Sequence, residues 1–340
     1  MNNLFNTNEQ SFHLTSKPIR LIELFAGYGS QALALKYLNI PFEHHLVCEL
    51  DKYAMQSYND IHNTNFEPSD ITKLENLNIV DTNKYNYILT YSFCCQDLSS
   101  LGHRKGMVEG SGTRSSLLWE VKRLLNECKE LPQVLLMENV PQVLKAEGWL
   151  EWYSYLESKG YSNYYEILNA KDYGIPQNRK RCFMVSILGD YKYDFPTPKP
   201  LDLKLKDFLE YNVDESFYLS DKTIQRISNW KSFENPLKKV YGANSIIGTI
   251  TTRVAESDLG GLCSSAKLVG NNLEDTVNIK DSLDTLNFRI RKLTPRECLR
   301  LMGVKDEDID KMTVSNPSKY KQAGNSIVVN VLMTIFNEMK

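Results

Sequence analysis

The sequence lacks several features that would define a class of protein at once. None of its apolar runs approaches the roughly 20 residues that a membrane-spanning helix needs, and the amino terminus lacks the basic and then apolar layout of a signal peptide. The seven cysteines include no C-x-x-C pair and no cluster with histidine, so neither a disulfide framework nor a zinc site is indicated. We therefore expect reduced thiols, no metal and a cytoplasmic location.

An excess of charge of one sign is also missing. The 340 residues carry a formal net charge of −2, and 42% of them are hydrophobic and 24% charged. This composition is typical of a globular chain that is long enough for one large domain and one small one. The overall charge gives no support for a nucleic-acid partner, and only a local basic surface would indicate one.

A strand, a glycine turn and a helix begin the regular part of the chain. The strand is predicted over 18–25, Gly27 and Gly29 interrupt it, and a helix is predicted over 31–38. Glycines in such a turn let the main chain approach a ligand closely and leave helix amides pointing toward it. Taken alone, the G-x-G pattern fits a purely structural turn equally well.

Two acids favour the ligand-binding interpretation of this turn. Glu49 ends a predicted strand over 45–49, about 20 residues after the turn, where a carboxylate can accept hydrogen bonds from ribose hydroxyls. Asp70 follows at the predicted end of another short strand. The chain has no G-x-x-x-x-G-K-[ST] loop and no complete G-x-G-x-x-G, so an adenosine ligand without a phosphate chain, such as S-adenosylmethionine, fits best.

A buried strand over 87–93 stops at two adjacent cysteines, Cys94 and Cys95, and a basic loop follows. Ligands of open parallel sheets bind beyond the carboxyl ends of the strands, so a thiol at this position is placed for chemistry. The cations Arg104 and Lys105 would favour a nucleophilic thiolate. The alternative, a small apolar side chain that closes a core strand, stays open on these residues alone.

A second strand also ends in a charged residue. Within 132–141, four apolar residues lead directly to Glu138, and a carboxylate there is costly to bury unless it is paired or protonated. Either the strand ends in solvent, or the carboxyl group has a raised pKa and shares a proton with a substrate ring nitrogen. Gln177, Arg179 and Arg181 would project to one side of an extended segment, either as a solvated face or toward substrate oxygens.

The remaining regions differ in how regular their predicted structure is. Residues 1–17 are expected to form a loosely held arm. A proline-rich linker over 195–200 leads into an irregular small domain, and regular structure returns with a helix that Thr294 caps and that begins at Pro295. The other predicted elements are helices over 115–128, 149–160 and 327–336 and strands over 164–168 and 181–187.

In chain order, these motifs resemble those of the bacterial DNA (cytosine-5-)-methyltransferases. The resemblance covers nearly the whole chain apart from the amino-terminal arm and a variable region over about 191–290. Each motif is weak, and it is their order that makes the resemblance specific. The motifs are Phe25-Ala26-Gly27-Tyr28-Gly29-Ser30, Ser92-Phe93-Cys94-Cys95-Gln96, Glu138-Asn139-Val140, Gln177-x-Arg179-x-Arg181, Leu293-Thr294-Pro295-Arg296-Glu297 and Gly324-Asn325-Ser326.

The resemblance implies an α/β fold with two parts. A Rossmann-like S-adenosylmethionine domain would cover 18–190 and 318–340, and a smaller, irregular target-recognition domain would cover 191–317. The implied reaction transfers a methyl group from S-adenosylmethionine, leaving S-adenosylhomocysteine, to carbon 5 of a cytosine flipped out of a specific duplex DNA sequence. We expect a monomer, either solitary or accompanied by a cognate restriction nuclease.

The same resemblance implies roles for individual residues. Cys95 would be the nucleophile that forms a covalent adduct, Glu138 the acid beside the ring, and Arg179 and Arg181 the arginines near the flipped cytosine. The residues implied around the cofactor are Phe25, Gly27, Gly29, Glu49, Asp70, Asn325 and Ser326. The residues implied on the DNA are Gln96, Ser99, Arg104, Lys105 and Arg253.

Two departures from the family pattern bear on activity. Cys94 stands where the family usually has proline, which frees the main chain and leaves an N–H in need of a partner. The glycine turn ends in Gly29-Ser30, where Gly-Gly is common in the family. Two alternatives therefore stay open, namely a tRNA cytosine-5 methyltransferase and a catalytically silent DNA-binding protein that keeps the fold and the cofactor.

Overall fold

A computed structural model describes residues 11–93, 114–223, 241–252, 262–266 and 288–340. None of the helices within these ranges has the length and apolar character that a membrane span requires. The expected nucleophile and the residues expected on the DNA lie outside the described residues, namely Cys95 with its neighbour Cys94, Gln96, Ser99, Arg104, Lys105 and Arg253.

A twisted sheet is the centre of the fold. Its strands are β1 (Ile19–Leu24), β2 (Phe42–Cys48), β3 (Asn86–Tyr91), β4 (Val134–Asn139), β5 (Tyr161–Asn169) and β6 (Lys180–Leu188). They lie in the order β2-β1-β3-β4-β6-β5. β1 to β4 run parallel, whereas β6 runs antiparallel to both of its neighbours. A separate antiparallel pair consists of β7 (Leu262–Ala266) and β8 (Phe288–Lys292).

Helices cover both faces of the sheet. They are α1 (Ser30–Tyr37), α2 (Lys52–His62), α3 (Leu118–Glu127), α4 (Trp149–Ser158), α5 (Pro295–Arg300), α6 (Asp306–Ile309), α7 (Asn316–Asn325) and α8 (Val329–Asn337). Ile19 and Leu21 of β1 pack into a core with α1 and α8, whereas Ile22 and Leu24 pack into a second core with α3 and α4. Side chains of a strand point to both faces, which explains why β1 is almost continuously apolar.

Most of the predicted elements are confirmed, with shifts of a few residues at their ends. The predicted cap of α5 is also present, because the Thr294 hydroxyl accepts the Glu297 amide at 3.1 Å and the Glu297 carboxylate accepts the Thr294 amide at 2.7 Å. The first part of the helix predicted over 115–128 is instead a 3-10 helix, Arg114–Leu117. Helices α2 and α7 were not predicted.

The short strand predicted to end at Asp70 is wrong. Residues 63–70 form no strand, and Asp70 begins a 3-10 helix, Ile71–Lys73, in which its carboxylate accepts the Thr72 amide at 3.0 Å. Pro68 has no N–H for a strand ladder, which explains why the segment does not join the sheet.

The prediction of a loosely held amino-terminal arm is wrong for residues 11–17. Phe12 and Leu14 are buried in the core that contains α8. The Leu14 amide donates to the Met339 carbonyl at 2.6 Å, and the Leu14 carbonyl accepts the Asn86 side chain at 2.8 Å. Burial of two large apolar side chains thus anchors this segment between β3 and the carboxyl terminus.

The described parts of the variable region share a core with the sheet. Leu205, Phe208, Ile247 and Ile250 belong to the same cluster of buried side chains as α5 and α8. This cluster brings segments of the predicted recognition domain into contact with the predicted catalytic domain. The division at residues 190 and 317 stays a prediction.

Candidate active site at the carboxyl edge of the sheet

The strand register aligns the motif residues along one edge of the sheet. Leu24 of β1 pairs with Cys48 of β2 and with Tyr91 of β3, and Tyr91 pairs with Met137 of β4. The residues that directly follow these four in the chain therefore lie side by side across the edge, in the order Glu49, Phe25, Ser92 and Glu138. Three strand spacings of about 4.8 Å place the two acids ~14 Å apart.

The glycine turn after β1 has an open side and a packed side. Gly27 and Gly29 have φ angles of +58° and +83°, in the left-handed region that favours glycine. A Cβ atom at Gly27 would meet no atom within 4 Å, whereas one at Gly29 would collide with the side chains of His62 and Tyr58. Gly27 thus leaves room for a ligand, and Gly29 allows the turn to pack against α2.

Glu49 is held next to this turn by main-chain donors. Its carboxylate accepts the Gly27 amide at 2.9 Å and the Asp51 amide at 2.8 Å. Burial raises the pKa of Glu49, although these hydrogen bonds oppose the effect. The Glu49 carbonyl accepts the Ser69 amide at 2.8 Å, which brings the neighbouring Asp70 toward the same edge.

The segment after α7 completes the part of the site that contains the glycine turn and Glu49. The Tyr28 hydroxyl of the glycine turn donates to the Ser326 hydroxyl at 2.8 Å. Lys321 of α7 pairs with Asp51 at 2.6 Å, so α7 is also tied to the start of α2. Asn325 is exposed at the end of α7. The structure therefore brings together the residues that were predicted around the cofactor.

These groups fit an adenosyl ligand. The Glu49 carboxylate oxygens can accept hydrogen bonds from ribose hydroxyls in addition to the two amides that they already bind. The open side of Gly27 allows the main chain to approach a ligand closely. The glycine turn does not complete a G-x-G-x-x-G motif, which is consistent with a ligand that has no phosphate chain.

Glu138 lies at the other end of the edge. It is 7% exposed, and its carboxylate is 3.1 Å from the Arg181 guanidinium. Because β6 runs antiparallel to β4, the first residues of β6 lie beside the carboxyl end of β4. This direction brings Arg181 next to Glu138. Burial raises the pKa of Glu138, and Arg181, Arg179 and the Ser92 hydroxyl oppose this rise. Glu138 is therefore buried, and the alternative of a strand that ends in solvent is wrong.

Arg179 and Arg181 have different surroundings. Arg179 is 4% exposed and donates to the main-chain carbonyls of Ile250 at 2.8 Å, Gly324 at 3.1 Å and Ser326 at 2.7 Å. Arg181 instead faces Glu138. Main-chain carbonyls thus hold Arg179, whereas Arg181 pairs with the acid, and the expected position of both arginines near the flipped cytosine stays a prediction.

Asn139 is a site residue for which the sequence predicted no role. Its side-chain amide donates to the Phe93 carbonyl at 3.0 Å and its oxygen accepts the Val140 amide at 2.8 Å. Asn139 thereby joins the end of β4 to the end of β3, one residue before Cys94. Its position next to Glu138 in the motif was a signal that could have identified it.

The fold is α/β, and the carboxyl edge of its sheet combines a glycine turn that fits an adenosine-containing ligand with a buried acid. Two solved structures share the fold. A methyltransferase of Entamoeba histolytica superposes with a TM-score of 0.78 at 19% identity, over 95% of this chain and 98% of the other. The Dnmt2 methyltransferase of S. pombe superposes with a TM-score of 0.74 at 21% identity, over 94% and 98%.

Sequence comparison identifies the family. Residues 19–340 match the C-5 cytosine-specific DNA methylases. The chain is 35% identical to the type II methyltransferase M2.ScrFI of Lactococcus lactis subsp. cremoris, over 94% of this chain and 99% of the relative. It is 32% identical to the type II methyltransferase M.HhaI of Haemophilus parahaemolyticus, over 93% of each. The chain belongs to the C-5 cytosine-specific DNA methylases, and it is a DNA (cytosine-5-)-methyltransferase that uses S-adenosylmethionine.

Proposed function

We propose that Cys95 is the nucleophile of this methyltransferase and that Glu138 and Arg181 act beside it on the cytosine ring. The observation that carries the proposal is the buried Glu138–Arg181 pair at the carboxyl edge of β4. Asn139 ties this edge to Phe93, two residues before Cys95 in the chain. The thiol is therefore expected close to the acid.

The chemistry explains why these residue types are needed. Carbon 5 of cytosine is a poor nucleophile, so the Cys95 thiolate first forms a bond to carbon 6, and the electron pair of the ring double bond makes carbon 5 nucleophilic. Glu138 shares a proton with ring nitrogen 3 as negative charge develops there, and Arg181 stabilises charge at the ring oxygen. S-adenosylmethionine, when bound, supplies the methyl group. Loss of the carbon 5 proton to water restores the double bond and expels the Cys95 thiolate.

The cofactor half of the edge would hold the adenosyl group. Glu49 would accept hydrogen bonds from the ribose hydroxyls, and Gly27 would allow close approach. Tyr28 would keep Ser326 against the turn. The other proposed cofactor residues are Phe25, Gly29, Asp70 and Asn325.

The proposed substrate is a specific sequence in duplex DNA. Turning the cytosine out of the helix costs roughly a few kcal/mol, which stacking and hydrogen bonding of the base in the pocket must offset. The proposed DNA contacts are Gln96, Ser99, Arg104, Lys105 and Arg253. Because type II methyltransferases and the orphan methyltransferase M.SssI are both among the relatives, a cognate nuclease and a solitary enzyme are alternative settings. We propose a monomer that acts on DNA in the cytoplasm.

Two serine variants test the assignment of the nucleophile. We expect Cys95→Ser to abolish transfer of labelled methyl groups to plasmid DNA from a host without cytosine methylation, while DNA binding survives. Cys94→Ser is the matched control and should keep activity. Equal loss of DNA binding and methyl transfer in Cys95→Ser, or loss of activity in Cys94→Ser alone, would contradict the assignment.

Two further measurements complete this test. Bisulfite sequencing of the methylated plasmid would identify the recognition sequence. A parallel incubation with tRNA should incorporate no label, and labelling of tRNA without labelling of DNA would overturn the proposed substrate.

A further inference from the structure

A short segment of the variable region pairs with the loop that leads into β6. The Ile247 amide donates to the Pro176 carbonyl at 2.9 Å, and the Asn178 amide donates to the Ile247 carbonyl at 2.8 Å. The Thr249 hydroxyl adds a bond of 2.9 Å to the Asn178 carbonyl. Ile247 thus forms an isolated parallel bridge with Gln177, and Thr249 adds a side-chain contact to the same loop.

Both main-chain groups of Ile250 are bound by side chains of this loop. The Ile250 amide donates to the Gln177 side-chain oxygen at 3.0 Å, and the Ile250 carbonyl accepts Nη1 of Arg179 at 2.8 Å. Gln177 is fully buried and also donates to the Leu301 carbonyl at 2.8 Å. Gln177 and Arg179 therefore fix the position of Ile250, three residues before Arg253 in the chain.

The other end of the Arg179 guanidinium binds the cofactor half of the site. Nη2 donates to the carbonyls of Gly324 and Ser326, and the Ser326 hydroxyl accepts the Tyr28 hydroxyl of the glycine turn. A Cβ atom at Gly324 would collide with the main chain of residues 251–252. The end of α7 and the segment 247–252 therefore lie in direct contact, and Arg179 bonds to carbonyls of both regions.

We infer that Arg179 is a positioning residue that couples cofactor binding to DNA binding. One side of its guanidinium holds Ile250, which lies within the proposed recognition domain, and the other holds Ser326, which Tyr28 joins to the glycine turn. A ligand that orders the turn also orders Ser326, and through Arg179 the segment that leads to the DNA. By linkage, DNA strengthens cofactor binding by the same factor. The inference rests on the proposed function.

The planar guanidinium is the feature that this role requires. Its fixed fork of donors reaches three carbonyls in two chain segments, whereas a lysine ammonium is a point charge that cannot span them. The positive charge of Arg179 also lowers the pKa of Glu138. Separate variants are therefore needed to distinguish the effect of the planar donor group from the effect of the charge. Arg179→Lys keeps the charge and loses the fork, and Arg179→Met loses both.

The test measures the dissociation constant of S-adenosylhomocysteine with and without saturating unmethylated plasmid DNA. For the wild-type protein we expect DNA to tighten binding by about fivefold or more, the usual range of coupling between sites. Arg179→Lys should bring this ratio close to 1, and Arg179→Met should give the same ratio as Arg179→Lys. Tyr28→Phe, which removes the hydroxyl that bonds to Ser326, should lower the ratio in part. Lys180→Gln removes the exposed cation that follows Arg179 in the chain and should keep the wild-type ratio.

The possible results separate this role from others. A ratio of 1 in the wild-type protein would overturn the coupling, whereas absence of methyl transfer by the wild-type protein would overturn the proposed function instead. A wild-type ratio in Arg179→Lys with a lower kcat would make Arg179 a residue that contacts the base. If the arginine variants do not fold, Tyr28→Phe decides, and an unchanged ratio in that variant would refute the inference.

Discussion

Two acids at the same edge of the sheet, the partly buried Glu49 and the buried Glu138, are stabilised by different partners. Glu49, in the cofactor half, accepts hydrogen bonds from the main-chain amides of Gly27 and Asp51. Glu138 lies beside the Arg181 guanidinium. It belongs to the part of the edge that we propose for the target cytosine, the target half. Burial raises the pKa of both acids. Main-chain amides thus hold Glu49, whereas a charged side chain pairs with Glu138.

Among the acids of the sheet, the largest expected effect comes from Glu138→Gln, which keeps the size of the side chain and removes its exchangeable proton. We expect kcat to fall by about 10²-fold or more, the usual contribution of a general acid or base. Binding of S-adenosylhomocysteine should stay within about twofold, since Glu138 lies in the target half. Steady-state kinetics and calorimetry would check both values. A rise in the KM for S-adenosylmethionine with an unchanged kcat would place Glu138 in the cofactor half instead.

A third acid, Glu23 of β1, sharpens the comparison because it has no cationic partner among the described residues. It is fully buried, accepts the Tyr58 hydroxyl at 2.5 Å and the Ala32 amide at 3.3 Å, and burial raises its pKa to about 7. Its pKa is thus higher in the folded than in the unfolded chain, so its contribution to stability is complete below pH ~4.5 and is lost as the pH rises through 7.

Glu23→Gln should remove this pH dependence. Relative to the wild-type protein, we expect the variant to gain at most about 3 kcal/mol of unfolding free energy between pH 5 and pH 8.5. Urea unfolding at the two pH values would measure the gain. The control is Glu43→Gln, an exposed acid paired with Arg20, which should change by less than about 1 kcal/mol. Parallel pH profiles of the Glu23 variant and the wild-type protein would contradict the prediction.

Glu49→Gln should have the smallest effect. The amide of glutamine keeps one acceptor oxygen but turns a donor toward one of the two main-chain N–H groups, which weakens the contacts of Glu49. We expect the KM for S-adenosylmethionine to rise about tenfold, the value of a hydrogen bond to a charged group, with kcat nearly unchanged. A loss in kcat similar to that of Glu138→Gln would remove the distinction between the two halves.

Local patterns in the sequence determined the parts of the site that lie within one element. Glu49 and Glu138 end apolar runs, and the predicted cap at Thr294 is confirmed. Helix α2 also carried a readable signal, since Ala54, Tyr58 and other buried residues recur at helical spacing after the capping residue Asp51. These features depend on neighbours in the chain, so composition and spacing are enough to predict them.

Contacts between distant segments were decided only by the tertiary structure. Tyr28 and Ser326 are 298 residues apart, and the engagement of Arg179 depends on where residues 250 and 324 pack. The position of Arg181 follows from the antiparallel direction of β6, which the residues of that strand do not encode alone. Periodicity reports which face of an element is buried, but the partner of a polar side chain is set by how the elements pack against one another.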